Sequence, residues 1–136
     1  MAESVTALEA QREQLYQQLG RLGDFRRGTI SVNYRRCGKP NCACAQAEHP
    51  GHGPQYLWTT TQQGKSRAQH LRLGPEVAKA EQELANYRQF AQLCDELVAV
   101  NEQLCRARPV TELPDRKLAA LKKRLRQKYS KRLKRK

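Results

Sequence analysis

Three of the chain's five cysteines fall within eight residues, in the run CGKPNCAC from Cys37 to Cys44. Thiols at this density constrain a fold more than any apolar pattern, because they must be cross-linked, ligated or kept apart. The compartment decides which. The N-terminal stretch MAESVTALEAQREQLYQQL has neither the basic start nor the apolar run of a signal peptide. No stretch approaches the roughly 18 apolar residues of a membrane span. The expected location is therefore cytoplasmic, including association with the nucleoid. Thiols stay reduced there, so clustered cysteines read as metal ligands or redox centres rather than disulfides.

The ligand-type residues are Cys37, Cys42, Cys44, His49 and His52, spaced Cys-x4-Cys-x-Cys and then one of two histidines. Three cysteines and one histidine are a common tetrahedral set for structural Zn2+. Gly38 and Pro40 allow a tight turn that brings Cys37 and Cys42 together. Arg35, Arg36 and Lys39 offset the charge of three thiolates. The competing readings are a redox thiol cluster, an iron–sulfur site and unligated thiols. The expectation is one structural zinc ion, with the fourth ligand open between His49 and His52 on spacing alone. His70 reads as a hydrogen-bonded sheet residue, and Cys94 and Cys105 as small hydrophobes on or beside an apolar helix face.

The rest of the chain supplies a frame for this loop. Residues 3–22 place Val5, Leu8, Leu15, Leu19 and Leu22 at heptad seam positions, interrupted by Arg12, with Gly23 as the expected cap. Such a helix needs a partner helix, in the same chain or in a second copy. GTISVNYRR alternates with period two, QYLWTTT is rich in aromatic and β-branched residues, QQG suits a turn, and KSRAQHLRLG can return. These predict three antiparallel strands, with the cysteine segment linking the first two. Gly74-Pro75 then starts a long helix to about Arg108. One of its stripes runs Val77, Ala80, Leu84, Tyr87, Ala91, Cys94, Val98, and a second runs Phe90, Leu93, Leu97, Val100, Leu104. Together they offer a face wide enough for the sheet and the first helix. RPVTELP breaks it, and Asp115 can cap a last helix with Leu118, Leu121, Leu125 and Leu133 on one side. The predicted fold is α+β: an N-terminal amphipathic helix (1–25), a zinc-binding sheet and long helix (26–108), and a basic helical tail (109–136).

Charge is distributed by segment. Residues 1–25 carry −2, 26–74 carry +7, 75–114 carry −3 and 115–136 carry +11, for a net charge of +13. Such an imbalance points to a polyanionic partner. Twelve of the last 22 residues are Lys or Arg, and no Trp or Phe equips that helix for a membrane surface, so nucleic acid is the expected partner and membrane is not. In the sheet, Arg35, Arg36, Lys39, Lys65, Arg67 and Arg72 are candidate contacts. Arg35, Arg67 and Gln69 are expected on an open face able to enter a major groove. In the tail the candidates are Lys122, Lys123, Arg124, Arg126, Lys128, Lys131 and Arg132.

RRCGKPNCAC…HGPQYLW resembles the signature of an uncharacterised bacterial family, a CGKxxCxC run followed by a short spacer and HGP. The match carries through GKSRAQHLRLGPEVAKAEQELANYRQF, covering roughly residues 27–105. The resemblance implies that Cys37, Cys42, Cys44 and His52 belong together, with His49 in the spacer, and it transfers no activity. QQGKSRAQHLRLGPEVAKAEQELANY is more loosely similar to the arm-type DNA-binding domains of phage-type integrases, a likeness of fold only. The sequence has no paired carboxylates near histidine, no nucleotide loop and no Ser/His/Asp set, and the zinc deaminase order is absent. The expected function is non-enzymatic: a zinc-stabilised DNA-binding protein, accessory to a mobile element or to regulation. The alternatives are an RNA-binding subunit of a ribonucleoprotein and a helical interaction adaptor, with a homodimer or protein partner at the seam.

Overall fold

The computed structural model describes residues 4–134, with side chains through Ser130 in the last helix. Ser4 starts the first helix, its Oγ accepting from the Ala7 N–H at 3.1 Å, and α1 runs Val5–Gly20. It ends on Arg21, whose N–H turns back to the Gln18 carbonyl at 3.2 Å, with the Leu22 N–H turned back to that of Leu19 at 3.3 Å, so Gly23 is not its cap. Three strands follow, β1 (Thr29–Arg35), β2 (His52–Gln62) and β3 (Lys65–Leu71), in one antiparallel sheet of order β1-β2-β3. Helix α2 spans Pro75–Ala107 and α3 spans Asp115–Lys134. The α+β fold expected from sequence is the fold observed.

The seam of α1 is filled within the chain. Leu8 and Leu15 form one core with Leu93, Leu97, Val100 and Leu104, and Val5, Leu19 and Leu22 pack against it. Contacts run in opposite order along the two helices: Glu9 pairs with Arg108, Arg12 with Asn101, and the Asp24 carbonyl with Asn86. The pair is therefore an antiparallel hairpin. Arg12, the interruption in the heptads, donates to Asn101 Oδ1 at 3.1 Å, and Asn101 Nδ2 donates to the Leu97 carbonyl. A polar layer of this kind fixes register at some cost in stability.

The two stripes of α2 do not form one broad covered face. The second stripe faces α1. Only the N-terminal part of the first, Ala80 and Leu84, is buried, and Leu84 borders Gly28–Ile30 of the sheet side. Past Tyr87 the first stripe is only partly covered, with Ala91 and Cys94 half-buried and Val98 exposed. Further along the helix Cys105 is exposed, so the expectation of a buried small hydrophobe does not hold for it.

Gln63 and Gly64, with φ of 52° and 78°, form the two-residue turn between β2 and β3. Positive φ at both turn positions matches the twist of a hairpin. This turn sets a register that separates the residues expected to share a face. Gln69 lies opposite Trp58, which lies opposite Ile30, and Arg67 lies opposite Thr60. Arg67 and Gln69 thus stand on the side of Ile30 and Val32, the side that meets α2, while Arg35 stands beyond a bulge and opposite His52. Because β1 begins at Thr29, opposite Thr59, the β2–β3 ribbon from Thr60 to Arg67 extends past it as two strands.

The linker between α1 and β1 is clamped by charge. Glu83, buried on α2, has Oε1 2.8 Å from Arg26 Nη2 and Oε2 2.6 Å from Lys79 Nζ. The Lys79 hydrogen bond, helped by the positive charge of Arg26, holds the Glu83 carboxyl below its usual value although burial opposes this. A depressed folded-state pKa means a stabilising contribution present above the unfolded value, near 4.3, and lost as pH falls through the folded value. Acid titration should therefore loosen the linker below about pH 4.3 in the parent and much less so in Glu83→Gln, read by the emission of Trp58. Identical acid transitions in the two proteins would refute this role.

Helix α3 begins with Asp115 in its first turn, a carboxylate at the positive end of the dipole. Among the described residues it makes no extended packing with another element. Leu118, Leu121 and Leu125 are half-buried along one side, and Arg116, Lys117, Lys122, Lys123, Arg124, Arg126 and Lys128 are exposed. Lys131, Arg132 and Leu133 lie outside the residues whose side chains are described. No helix among the described residues is long and apolar enough to cross a membrane.

Candidate metal centre

The segment between β1 and β2 is built by short turns. The Cys42 N–H returns to the Lys39 carbonyl at 3.2 Å, and a 3₁₀ turn at Ala43–Ala45 follows. Gly38, at φ 80°, bends the chain after Cys37. The result brings Cys37, Cys42, Cys44 and His52 together, each offering one ligand atom and all four atoms within 4.8 Å of one another. Cys37 Sγ lies 3.5 Å from Cys44 Sγ, and Cys42 Sγ lies 3.2 Å from His52 Nε2. The four residues can hold one metal ion.

Their electrostatics differ. The Lys39 backbone N–H, with the His52 and Cys44 side chains, lowers the Cys37 thiol from its ordinary value to about 6. Cys44 accepts the Cys37 N–H at 3.4 Å, which pulls its thiol down, yet burial and the neighbouring Cys37 and Cys42 thiols outweigh this and push it up. One sulfur is thus prepared as an anion while its buried neighbour resists a second charge. A cation among them relieves that conflict.

His52 opens β2, and its partner across the sheet is Arg35. The next residue decides how closely the strands approach. Gly53 has φ 142°, and a Cβ there would lie 2.8 Å from the Asn33 carbonyl oxygen. Gly53→Ala must move one strand and His52 with it. It should weaken metal binding on the order of 10- to 100-fold, the scale seen when groups supporting a ligand are lost. Competition with a chromophoric chelator measures this, and an unchanged affinity would refute it.

Of the two candidate histidines, His49 is outside the group. Its Nδ1 accepts the Gly51 N–H at 3.0 Å, so it braces the loop. His70 is exposed on β3 and also outside. Arg36, grouped by sequence with the nucleic-acid contacts, has a local task. Its Nη1 donates to the carbonyls of Cys44 and Gln46, and its Nη2 to that of His49 at 2.7 Å. A planar fork gathers three carbonyls of the cysteine loop from two separate nitrogens, a spread that the single ammonium of lysine does not offer. Sequence reasoning missed this role, because the carbonyls that receive the fork come together only in the folded loop. Arg35 and Lys39 are exposed beside the centre, as are Lys65 and Arg67 on the projecting ribbon, and Arg72 pairs with Glu76 at 2.9 Å.

The chain belongs to the family described as a domain of unknown function, DUF6788, whose model matches residues 5–83. The match takes in α1, the sheet and all four ligand residues, and ends within α2. It therefore starts earlier and stops earlier than the 27–105 span read from the signature. No curated protein and no solved structure matches the chain. The likeness to integrase arm domains gains no support from these comparisons.

Proposed function

We propose that this is a zinc-stabilised, non-enzymatic nucleic-acid-binding protein in which α3 supplies affinity and the zinc-clipped sheet supplies a fixed surface beside it. One observation carries the reading: among the described residues, seven exposed lysines and arginines lie on a helix that makes no extended packing with another element. Such a helix repels itself, and a row of phosphates neutralises it. Zinc is the metal that best suits the donor set. With Zn–S near 2.3 Å and Zn–N near 2.0–2.1 Å, a tetrahedral site sets its ligand atoms about 3.5–3.8 Å apart. The Cys37–Cys44 and Cys42–His52 contacts, at 3.5 and 3.2 Å, need little adjustment to meet that.

DNA is the favoured polymer. The β2–β3 ribbon projects past β1 with Lys65 and Arg67 exposed, and a two-stranded ribbon fits the major groove of B-form DNA. The deep, narrow major groove of RNA excludes it. The test is titration of the full chain against duplex DNA, single strands and structured RNA at two salt concentrations. Binding to DNA that weakens steeply with salt is expected. Tight binding to RNA alone would move the protein to a ribonucleoprotein role, and no binding to any of the three would leave an interaction adaptor.

A further inference from the structure

An open cleft of about 660 Å³ lies where the linker after α1 passes between the sheet and α2, lined by Leu22, Asp24, Phe25, Arg26, Trp58 and Gln69. Its size is ordinary for a small planar ligand. Two of its aromatic residues are held from behind. Phe25 stacks on Phe90 with centroids 4.7 Å apart and near-parallel planes, yet remains exposed. The Trp58 indole N–H donates to the Arg27 carbonyl at 2.8 Å, and the Arg26 guanidinium lies 4.6 Å over its ring. Arg26 is in turn held by Glu83. The rings are thus fixed by groups that already have partners, whereas the Asp24 carboxylate and the Gln69 amide make no hydrogen bond or ion pair among the described residues. Exposed Arg27 adjoins the cleft in sequence, and Arg67 stands two residues from Gln69 on the same side of β3.

We propose that this cleft receives one unpaired nucleobase of a bound strand, stacked on Phe25 and read by Asp24 and Gln69, with Arg27 toward a flanking phosphate. The proposal rests on the nucleic-acid reading above and adds a base-reading subsite to it. Flat, exposed aromatic faces are what unpaired bases stack on, whatever their sequence. The polar groups then discriminate. A carboxylate only accepts, so it favours bases that bear an exocyclic amine, as an acid accepts from the cytosine amine in a groove, whereas the one donor on the open edge of thymine, its N3–H, lies between two carbonyl oxygens that repel a carboxylate. Cytosine is therefore preferred over thymine, a pyrimidine of similar size that lacks the amine.

Trp58 is the only tryptophan of the chain and lines the cleft, so its emission reports occupancy directly. The full chain is titrated with oligo(dC), oligo(dT), an abasic strand of equal length and free cytidine monophosphate. Oligo(dC) should quench Trp58 and bind roughly ten-fold more tightly than the abasic strand, with oligo(dT) between them. Asp24→Asn and Gln69→Ala, both exposed and able to fold, should remove the preference for cytosine over thymine. Phe25→Ala should reduce oligo(dC) to the abasic level. Equal binding of oligo(dC) and the abasic strand with no change in Trp58 overturns the subsite while the phosphate-binding role stands. Absence of binding by every strand overturns the subsite, and overturns the nucleic-acid reading as well if duplex DNA titrated alongside does not bind either. Quenching by free cytidine monophosphate with nothing gained from the strand overturns the strand-bound form.

Discussion

Removing the metal should unfold the sheet and leave the helical hairpin standing. The reason lies in how apolar burial is divided. The hairpin core of Leu8, Leu15, Leu93, Leu97, Val100 and Leu104 is drawn entirely from α1 and α2. The sheet region has far less: Cys44, Leu71 and Thr60 are its buried side chains, with Ala80 and Leu84 offered from α2. Three strands with so thin a core are marginal in water, and the segment between β1 and β2 is long for an unclipped connection. A structural zinc ion contributes about 10–16 kcal/mol to small domains of this type at neutral pH, and that binding energy is folding energy. Elemental analysis should find about one zinc per chain in protein prepared without added metal. Chelation, or Cys44→Ser, should then shift the emission of Trp58 in β2 and lower strand content while most helical circular dichroism persists. Cys44 is the decisive residue because it is buried and receives the Cys37 N–H, so its loss removes both a ligand and a packed group. A metal-free preparation with an intact sheet would sink the zinc reading. Collapse of the helices together with the sheet would show that the two parts fold as one.

How far the sequence carried this picture depended on whether each feature was local. Heptads gave α1 and its partner stripe on α2, and even the flaw at Arg12 marked the polar layer that pairs with Asn101. Three cysteines within eight residues announced the group of Cys37, Cys42, Cys44 and His52 that can hold a metal ion. The choice of His52 over His49 came from the family signature, and the structure gives it a physical basis: His49 is turned to the Gly51 N–H while His52 starts a strand held against β1. Faces were harder. Alternation shows that Arg67 and Gln69 share a side, but which residues oppose them depends on the turn, and a slip of one residue reverses every side chain. The two-residue turn at Gln63–Gly64 sets Gln69 against Trp58, on the side that meets α2. Likewise, periodicity showed two stripes on α2 but not that the sheet reaches only as far as Leu84, which leaves Val98 and Cys105 exposed. The clamp of Arg26 on Glu83 and the fork of Arg36 join residues whose meeting the chain's path alone decides.

Deleting residues 115–136 should weaken binding to every nucleic acid alike, by about 10³-fold at low salt, and should flatten the dependence on salt. The magnitude follows from counterion release. Each phosphate neutralised adds close to 0.9 to the slope of log affinity against log salt on B-form DNA, so six or more contacts cost about 10³ or more between 50 and 200 mM. Seven exposed lysines and arginines on α3 can supply that number. The uniformity follows from chemistry, since these side chains sit on a helix that, among the described residues, has no extended packing to aim them at base edges. The hairpin and sheet should keep their melting behaviour, because no described residue of α3 joins the hairpin core. What remains after truncation is the contribution of the sheet: weak binding with a shallow salt slope, in which Arg67→Ala still costs about 1–3 kcal/mol on a preferred site and less elsewhere. The two variants together separate the roles. If truncation leaves the slope unchanged, the phosphates are met by the sheet, and α3 has another purpose. If truncation removes all binding and Arg67→Ala has no effect in the full chain, the helix acts alone and the ribbon is a scaffold for the metal centre.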